Sequence, residues 1–283
     1  MITITKRPYL YNFTGNPVVY ELTDPDAIAD ATLGFQVKIL AKRLDEVVFS
    51  ELTVLTIAPF NGSAQTDISS VLHVLLQHYL PPVNNGAVPY NSGTAALQFF
   101  IHFRTISPID TNPGWDISEA DQLRWGFKGG VQSFRYRGNA FFTGYVINQK
   151  PFYTWQVRSK LAAANERLYL CWLNLLFEND LSTLKFKIDI FYTDQTNATK
   201  EYTVTGLQKG FMYYLPAGAL ENDLVAFIPA KKIWYWQCWL QDVTLGGLGI
   251  VTEKFTYVLD NRNDYNQLHI FYRKNSGFNI DKI

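Results

Sequence analysis

Short runs of aromatic and β-branched residues, each cut off by Gly, Asn or Pro, begin near the start of this chain and recur to its end. The stretch Pro8-Tyr9-Leu10-Tyr11-Asn12-Phe13-Thr14-Gly15-Asn16-Pro17-Val18-Val19-Tyr20-Glu21-Leu22 sets the pattern. Residues of these types fit a pleated, half-buried surface, and the interrupting residues fit tight turns. Residues 34–40 alternate apolar and polar, which gives a strand one packed face and one wet face. The expected fold is therefore mainly β: two antiparallel β-sandwich-like domains with one short amphipathic helix in the first.

That helix is the one place where the period changes. Ile68, Val71, Leu72, Leu75, Leu76 and Tyr79 fall at helical spacing and share one face. The spacing predicts a helix over 67–79, capped by Thr66 or Asp67 and stopped by Pro81-Pro82. Asp24-Pro25-Asp26 and Asn61-Gly62-Ser63-Ala64 read as turns.

The 283 residues suffice for two cores at roughly 150 residues per domain. The expected division is an N-terminal domain over 1–106, a connecting segment over 107–128, and a C-terminal, more aromatic domain over 129–283. The connecting segment has sparse apolar residues, two prolines and a short helical candidate at 118–125. Beyond it, strand candidates lie at 141–143, 152–155, 168–176, 184–192, 200–205, 210–215, 234–243, 255–259 and 269–273. No long helical stretch separates them, which argues for a sandwich or jelly roll rather than βαβ units.

Charge excludes some functions. Lys+Arg and Asp+Glu both number 25, so the chain lacks the basic excess that drives nonspecific nucleic-acid affinity. No apolar run approaches the ~20 residues that span a bilayer, and the N-terminal residues do not read as a signal peptide. The expectation is no nucleic-acid partner, no membrane insertion and synthesis in a cytoplasm.

No catalytic motif appears. His73, His78, His102 and His269 are scattered, and Cys171 and Cys238 sit inside apolar strands, where free buried thiols are expected. No metal site, cofactor or catalytic residue is expected. Gly246-Gly247-Leu248-Gly249 reads as a turn, and Asp260-Asn261-Arg262-Asn263-Asp264 lacks the ligand pattern of a calcium loop. Carboxylates such as Glu51, Asp67, Asp116, Glu119 and Asp121 leave a hydrolase as a third-ranked alternative, because their separation in space would decide it.

The aromatic residues raise a different question. Seven Trp, 17 Tyr and 20 Phe exceed what two cores need. Strand alternation puts Trp234 and Trp236 on one face and Tyr235, Gln237 and Trp239 on the other. Tyr235, Gln237 and Trp239 are candidates for a subunit contact or a glycan platform, with burial in a core as the plainer reading.

Several segments resemble tail and baseplate structural proteins of Bacteroidetes phages and prophages. These are 12–22, the block Gln65-Thr66-Asp67-Ile68-Ser69-Ser70-Val71-Leu72, Gly129-Gly130-Val131, Phe152-Tyr153-Thr154-Trp155-Gln156-Val157-Arg158, Leu168-Tyr169-Leu170, and Ile270-Phe271-Tyr272-Arg273-Lys274-Asn275-Ser276-Gly277-Phe278. The resemblance touches most of the chain and carries no active site. It implies a non-enzymatic structural virion protein, a ring, adaptor or baseplate subunit of a phage tail assembled in the host cytoplasm. Expected partners are further copies of the chain and other virion tail proteins. The alternative is a carbohydrate- or receptor-binding module that meets a host surface glycan through exposed Trp and Tyr.

Overall fold

The computed structural model describes residues 2–77, 90–117, 123–130, 159–162, 168–175, 181–218, 231–242, 249 and 251–259. The first half comprises β1 (Thr3–Lys6), β2 (Tyr11–Phe13), β3 (Val19–Thr23), α1 (Asp26–Ala29), β4 (Gly34–Arg43), β5 (Ser50–Ile57), β6 (Ser63–Asp67), α2 (Ser69–Leu75), β7 (Tyr90–Ser92), β8 (Ala96–Ile106), β9 (Asp116–Ile117) and β10 (Arg124–Phe127). The second half comprises β11 (Ser159–Ala162), β12 (Tyr169–Leu173), β13 (Leu184–Tyr192), β14 (Asn197–Thr203), β15 (Met212–Pro216), β16 (Ile233–Asp242) and β17 (Phe255–Leu259). The chain is mainly β, as the patterning requires.

The described strands form four sheets, ordered β1-β3-β6, β2-β10-β8-β4-β5 with β9 beside β8, β11-β17-β16-β13-β14, and β12-β15-β7. Alternation supplies the buried faces. Phe35, Val37, Ile39 and Ala41 of β4 meet Leu97, Phe99, Ile101 and Phe103 of β8 in one core with Tyr20 and Leu22 of β3. A second core gathers Phe186, Ile188 and Ile190 of β13, Trp236, Cys238 and Leu240 of β16, and the inner residues of β12 and β15. The Trp236 indole donates to the Ala217 carbonyl at 2.9 Å and so ties β16 to the end of β15.

The halves are interlocked. Phe13 of β2 and Phe127 of β10 belong to the second core although their strands lie in a first-half sheet. β7 adds to β15 as an antiparallel partner. Gly210 has a φ of 85°, and a Cβ there would collide with the Trp125 ring, so glycine allows the close packing of β10 against the second half.

Five expectations change. Asp24-Pro25-Asp26 opens a one-turn helix, α1, rather than a plain turn. The expected helix over 67–79 is only Ser69–Leu75, because Gln77 donates its backbone N–H to the Thr94 carbonyl and its own carbonyl accepts from the Thr94 hydroxyl. That tertiary bonding, at Gln77, takes over from the helical pattern directly after α2. Arg124 and Trp125, the end of the candidate helix at 118–125, are strand residues of β10, held between β2 and β8. Two pairings, β2 with β10 and β11 with β17, are parallel and not antiparallel. Trp234 is passed over in the register between Phe191↔Tyr235 and Tyr192↔Ile233, so this irregularity separates it from the core position of Trp236. Other expectations hold: Asn61 and Gly62 have φ of 50° and 74° in a two-residue hairpin turn, where Phe60 and Ser63 exchange backbone bonds. The strand candidates at 141–143, 152–155 and 269–273 lie outside the described residues, as do His78, His269, Glu119, Asp121 and residues 246–248 and 260–264.

Candidate functional site

A cleft of about 580 Å³ opens between α2 and the paired ends of β2 and β10. Thr14, Ser69, Ser70, His73, Gln77 and Lys128 supply its polar lining. Helical periodicity puts Ile68, Leu72 and Leu76 in the first core, with Val71 and Leu75 packed at its border. This leaves His73 on the cleft side. The Asp67 carboxylate accepts from the Ser69 and Val18 amides, each at 2.9 Å, and fixes the start of α2 against β3.

Chemistry within the cleft is directed to holding α2 in place. Thr14 Oγ1 lies 3.0 Å from His73 Nδ1 and 3.2 Å from the Phe127 carbonyl oxygen. The Phe127 carbonyl also accepts the Thr14 backbone N–H at 2.9 Å, so Thr14 is tied to β10 through its main chain and its side chain together. The Thr14 hydroxyl thus bridges α2 and β10 through its contacts with the His73 ring and the Phe127 carbonyl. Lys128 Nζ donates to the His73 carbonyl at 2.9 Å, placing a cation at the last turn of α2. Burial, reinforced by the Lys128 charge, holds the His73 imidazole below its ordinary pKa.

A second candidate is the outward face of β16. Tyr235, Gln237 and Trp239 share that face, as alternation requires, while Trp236, Cys238 and Leu240 face the core. All three have partners within the sheet. The Tyr235 ring stacks on Phe191 with centroids 4.4 Å apart, Gln237 donates to the Thr256 hydroxyl at 3.2 Å, and Lys254 places its ammonium 3.9 Å above Trp239. Only 6% of Trp239 is exposed, so it does not present the open flat ring that sugar stacking uses. Around them run Lys187–Glu201 at 2.6 Å, Lys254–Asp189 at 3.6 Å, and the Thr199 hydroxyl donating to Asp189 at 2.7 Å.

Sequence reading missed a cation–aromatic assembly on the first half. The Arg104 guanidinium, almost fully buried, donates to Gln36 at 2.8 Å and to the Asn112 side chain and Pro113 carbonyl at 2.7 Å each. Trp115 lies between Arg104 and Lys38, at 4.1 and 4.6 Å from its ring centre. A lone Trp in a polar, proline-bearing stretch was the available signal for a loop pinned to a sheet. Nearby, Phe49 meets Phe100 edge-on at 4.9 Å and Lys42 stands 5.1 Å above Phe49. His102, beside Phe100, is held below its usual pKa by burial and then by Lys38, with Glu51 pulling the other way.

Cys171 and Cys238 are free thiols. Burial pushes Cys171 up to about 11 and Cys238 well above the ordinary thiol range, where Asp189 adds to the effect. Neither forms a ready nucleophile near neutral pH. Among the described residues, no three His, Cys, Asp or Glu side chains gather at a potential metal position, and no helix is long and apolar enough to cross a membrane.

No protein-family profile matches the chain, and no curated protein does. Among solved structures, the plexin A4 full extracellular region is similar at 7% identity and a TM-score of 0.22. That match covers 92% of this chain and 24% of the plexin chain, so this chain spans about a quarter of that protein. At this score the likeness carries no argument about fold or function.

Proposed function

We propose that this chain is a non-enzymatic structural subunit of a phage tail, working as a ring, adaptor or baseplate component through protein–protein assembly and reaching the virion after synthesis in the host cytoplasm. The observation that carries this reading is the set of large apolar side chains at its turns. Val47 is 89% exposed and Ile109 is 99% exposed, on turns whose bases are held by hydrogen bonds and ion pairs. Exposed side chains of this size would lose water contact under a neighbouring subunit, which stabilises an assembly. The even charge balance and the sequence resemblance support the same reading.

Negative-stain images of the purified protein, together with cross-linking in intact particles, test this reading. Rings, filaments or discrete oligomers and cross-links to tail neighbours are the expected results. A protein that stays monomeric at micromolar concentration and forms no cross-links in a particle overturns it.

A further inference from the structure

We propose that the open edge of β5 is a pairing surface for a second copy of this chain, with the two β5 strands joined antiparallel about a two-fold axis at Val54. This rests on the assembly reading above and assigns it a surface. β5 ends the order β2-β10-β8-β4-β5, and its ladder bonds run to β4. Alternate N–H and C=O groups of an outermost strand point away from the sheet. Among the described residues, no backbone group of Ser50–Ile57 bonds to anything beyond β4. A row of this length is matched by another extended strand.

The side chains select the partner. Edge strands that avoid pairing usually carry charges, Pro or a central bulge. β14, the corresponding edge in the second half, has Lys200 and Glu201 at its middle. The charged residue of β5 is Glu51, at one end and bonded to Lys38 at 3.0 Å, and the register irregularity lies at that same end, between the pairings of Ile39 and Leu40. Thr53–Val54–Leu55–Thr56–Ile57 has no charge, Pro or Gly. Centring an antiparallel pair on Val54 sets Glu51 against Ile57, Leu52 against Thr56 and Thr53 against Leu55, so no like charges face each other.

Exposed apolar residues also lie just beyond the strand ends. Val48 and Phe60, which flank the two ends of β5, are 72% and 88% exposed. Val54 itself, 36% exposed, meets its own copy at the axis. Apolar groups thus stand at the centre of β5 and on the segments flanking both of its ends, where an inverted copy would meet them. Such a two-fold contact is isologous and leaves the other surfaces for different neighbours.

Sedimentation of the full chain at micromolar concentration, compared with Val54→Lys, Val54→Glu and an equimolar mixture of the two, tests the pairing. Each single variant sets like charges opposite one another and is expected to weaken self-association by at least about ten-fold, while the mixture sets Lys against Glu and restores it. Restoration also shows that both variants fold. If the variants assemble as the parent does, or the mixture fails to recover, β5 pairing is wrong and assembly through another surface still stands. If the parent is monomeric here and also forms no cross-links in particles, the assembly reading falls with it.

Discussion

The two halves of this molecule are built alike inside and differently outside. Each buries the alternate residues of long central strands, β4 with β8 in the first and β13 with β16 in the second. The outer face of the first half is covered by aromatic rings and cations, with Trp115 between Lys38 and Arg104 and Lys42 over Phe49. That of the second also carries rings, Tyr235 on Phe191 and Trp239 under Lys254, but sets them within a ladder of ammonium, carboxylate and hydroxyl groups along Lys187, Glu201, Asp189, Thr199 and Lys254. The edges follow the same division: β5 is nearly uncharged and β14 is charged at its centre. Interiors fill space under one packing rule, whereas rims differ according to what they must attract or repel.

Interiors that are equivalent should respond equivalently, and this gives the largest expected effect. Trp236→Ala empties a fully buried site and leaves the Ala217 carbonyl without its donor, while Leu72→Ala opens a cavity under α2. Losses of ~3–5 kcal/mol for the first and ~2–5 kcal/mol for the second are expected from denaturant midpoints at constant slope. Because Phe13 and Phe127 place first-half strands in the second core, both variants should shift one shared transition. Two transitions moving independently would break the view of interlocked halves.

The outer faces should differ in a smaller but measurable way. Trp115→Ala removes a ring held by two cations beside a buried guanidinium and should cost about 1–3 kcal/mol. Glu201→Gln removes one member of a half-exposed ion pair and should cost less than about 1 kcal/mol, with even that fading in high salt. Equal losses, or a strong salt dependence at Trp115, would show that the two faces share one kind of stabilisation.

The smallest effect expected is a pH dependence from the first half. Burial holds the His73 and His102 pKa values below that of an unfolded chain, so below about 6.5 the unfolded state binds more protons than the folded one. Their contribution to stability is complete above that value and is lost as the pH falls through it towards the lower folded values. His73→Gln should flatten the fall in melting temperature across this window and His102→Gln should flatten it further. An unchanged slope in both would show that these imidazoles are as readily protonated in the fold as outside it.

Much of the local structure was legible in the residues because burial periodicity is local. The alternation of 184–192 and 255–259 coincides with β13 and β17, and the helical spacing of Ile68, Leu72 and Leu76 identified the buried side of α2. The Asn61-Gly62 turn was readable because φ near +50° to +75° suits these two residue types. The separation of Tyr235, Gln237 and Trp239 from Trp236 across β16 was readable, since successive strand residues must point to opposite faces.

Partner choice was not legible, because it depends on groups far apart along the chain. Nothing local to residues 11–13 announces a parallel partner at 125–127, and nothing in 90–92 announces β15. Thr94 ends α2 through bonds to Gln77, overriding a periodicity that runs on towards Pro81. Lys254 covers Trp239, and Lys38 and Arg104 clasp Trp115, because folding converts distant sequence positions into neighbours at about 4 Å. The sequence by itself determined which residues turn inward on each strand and helix, a consequence of fixed backbone geometry and hydrophobic burial. Only the tertiary structure decided which strands pair, where α2 ends and which rings stay open, since those follow from the one arrangement that satisfies long-range packing and hydrogen bonding together.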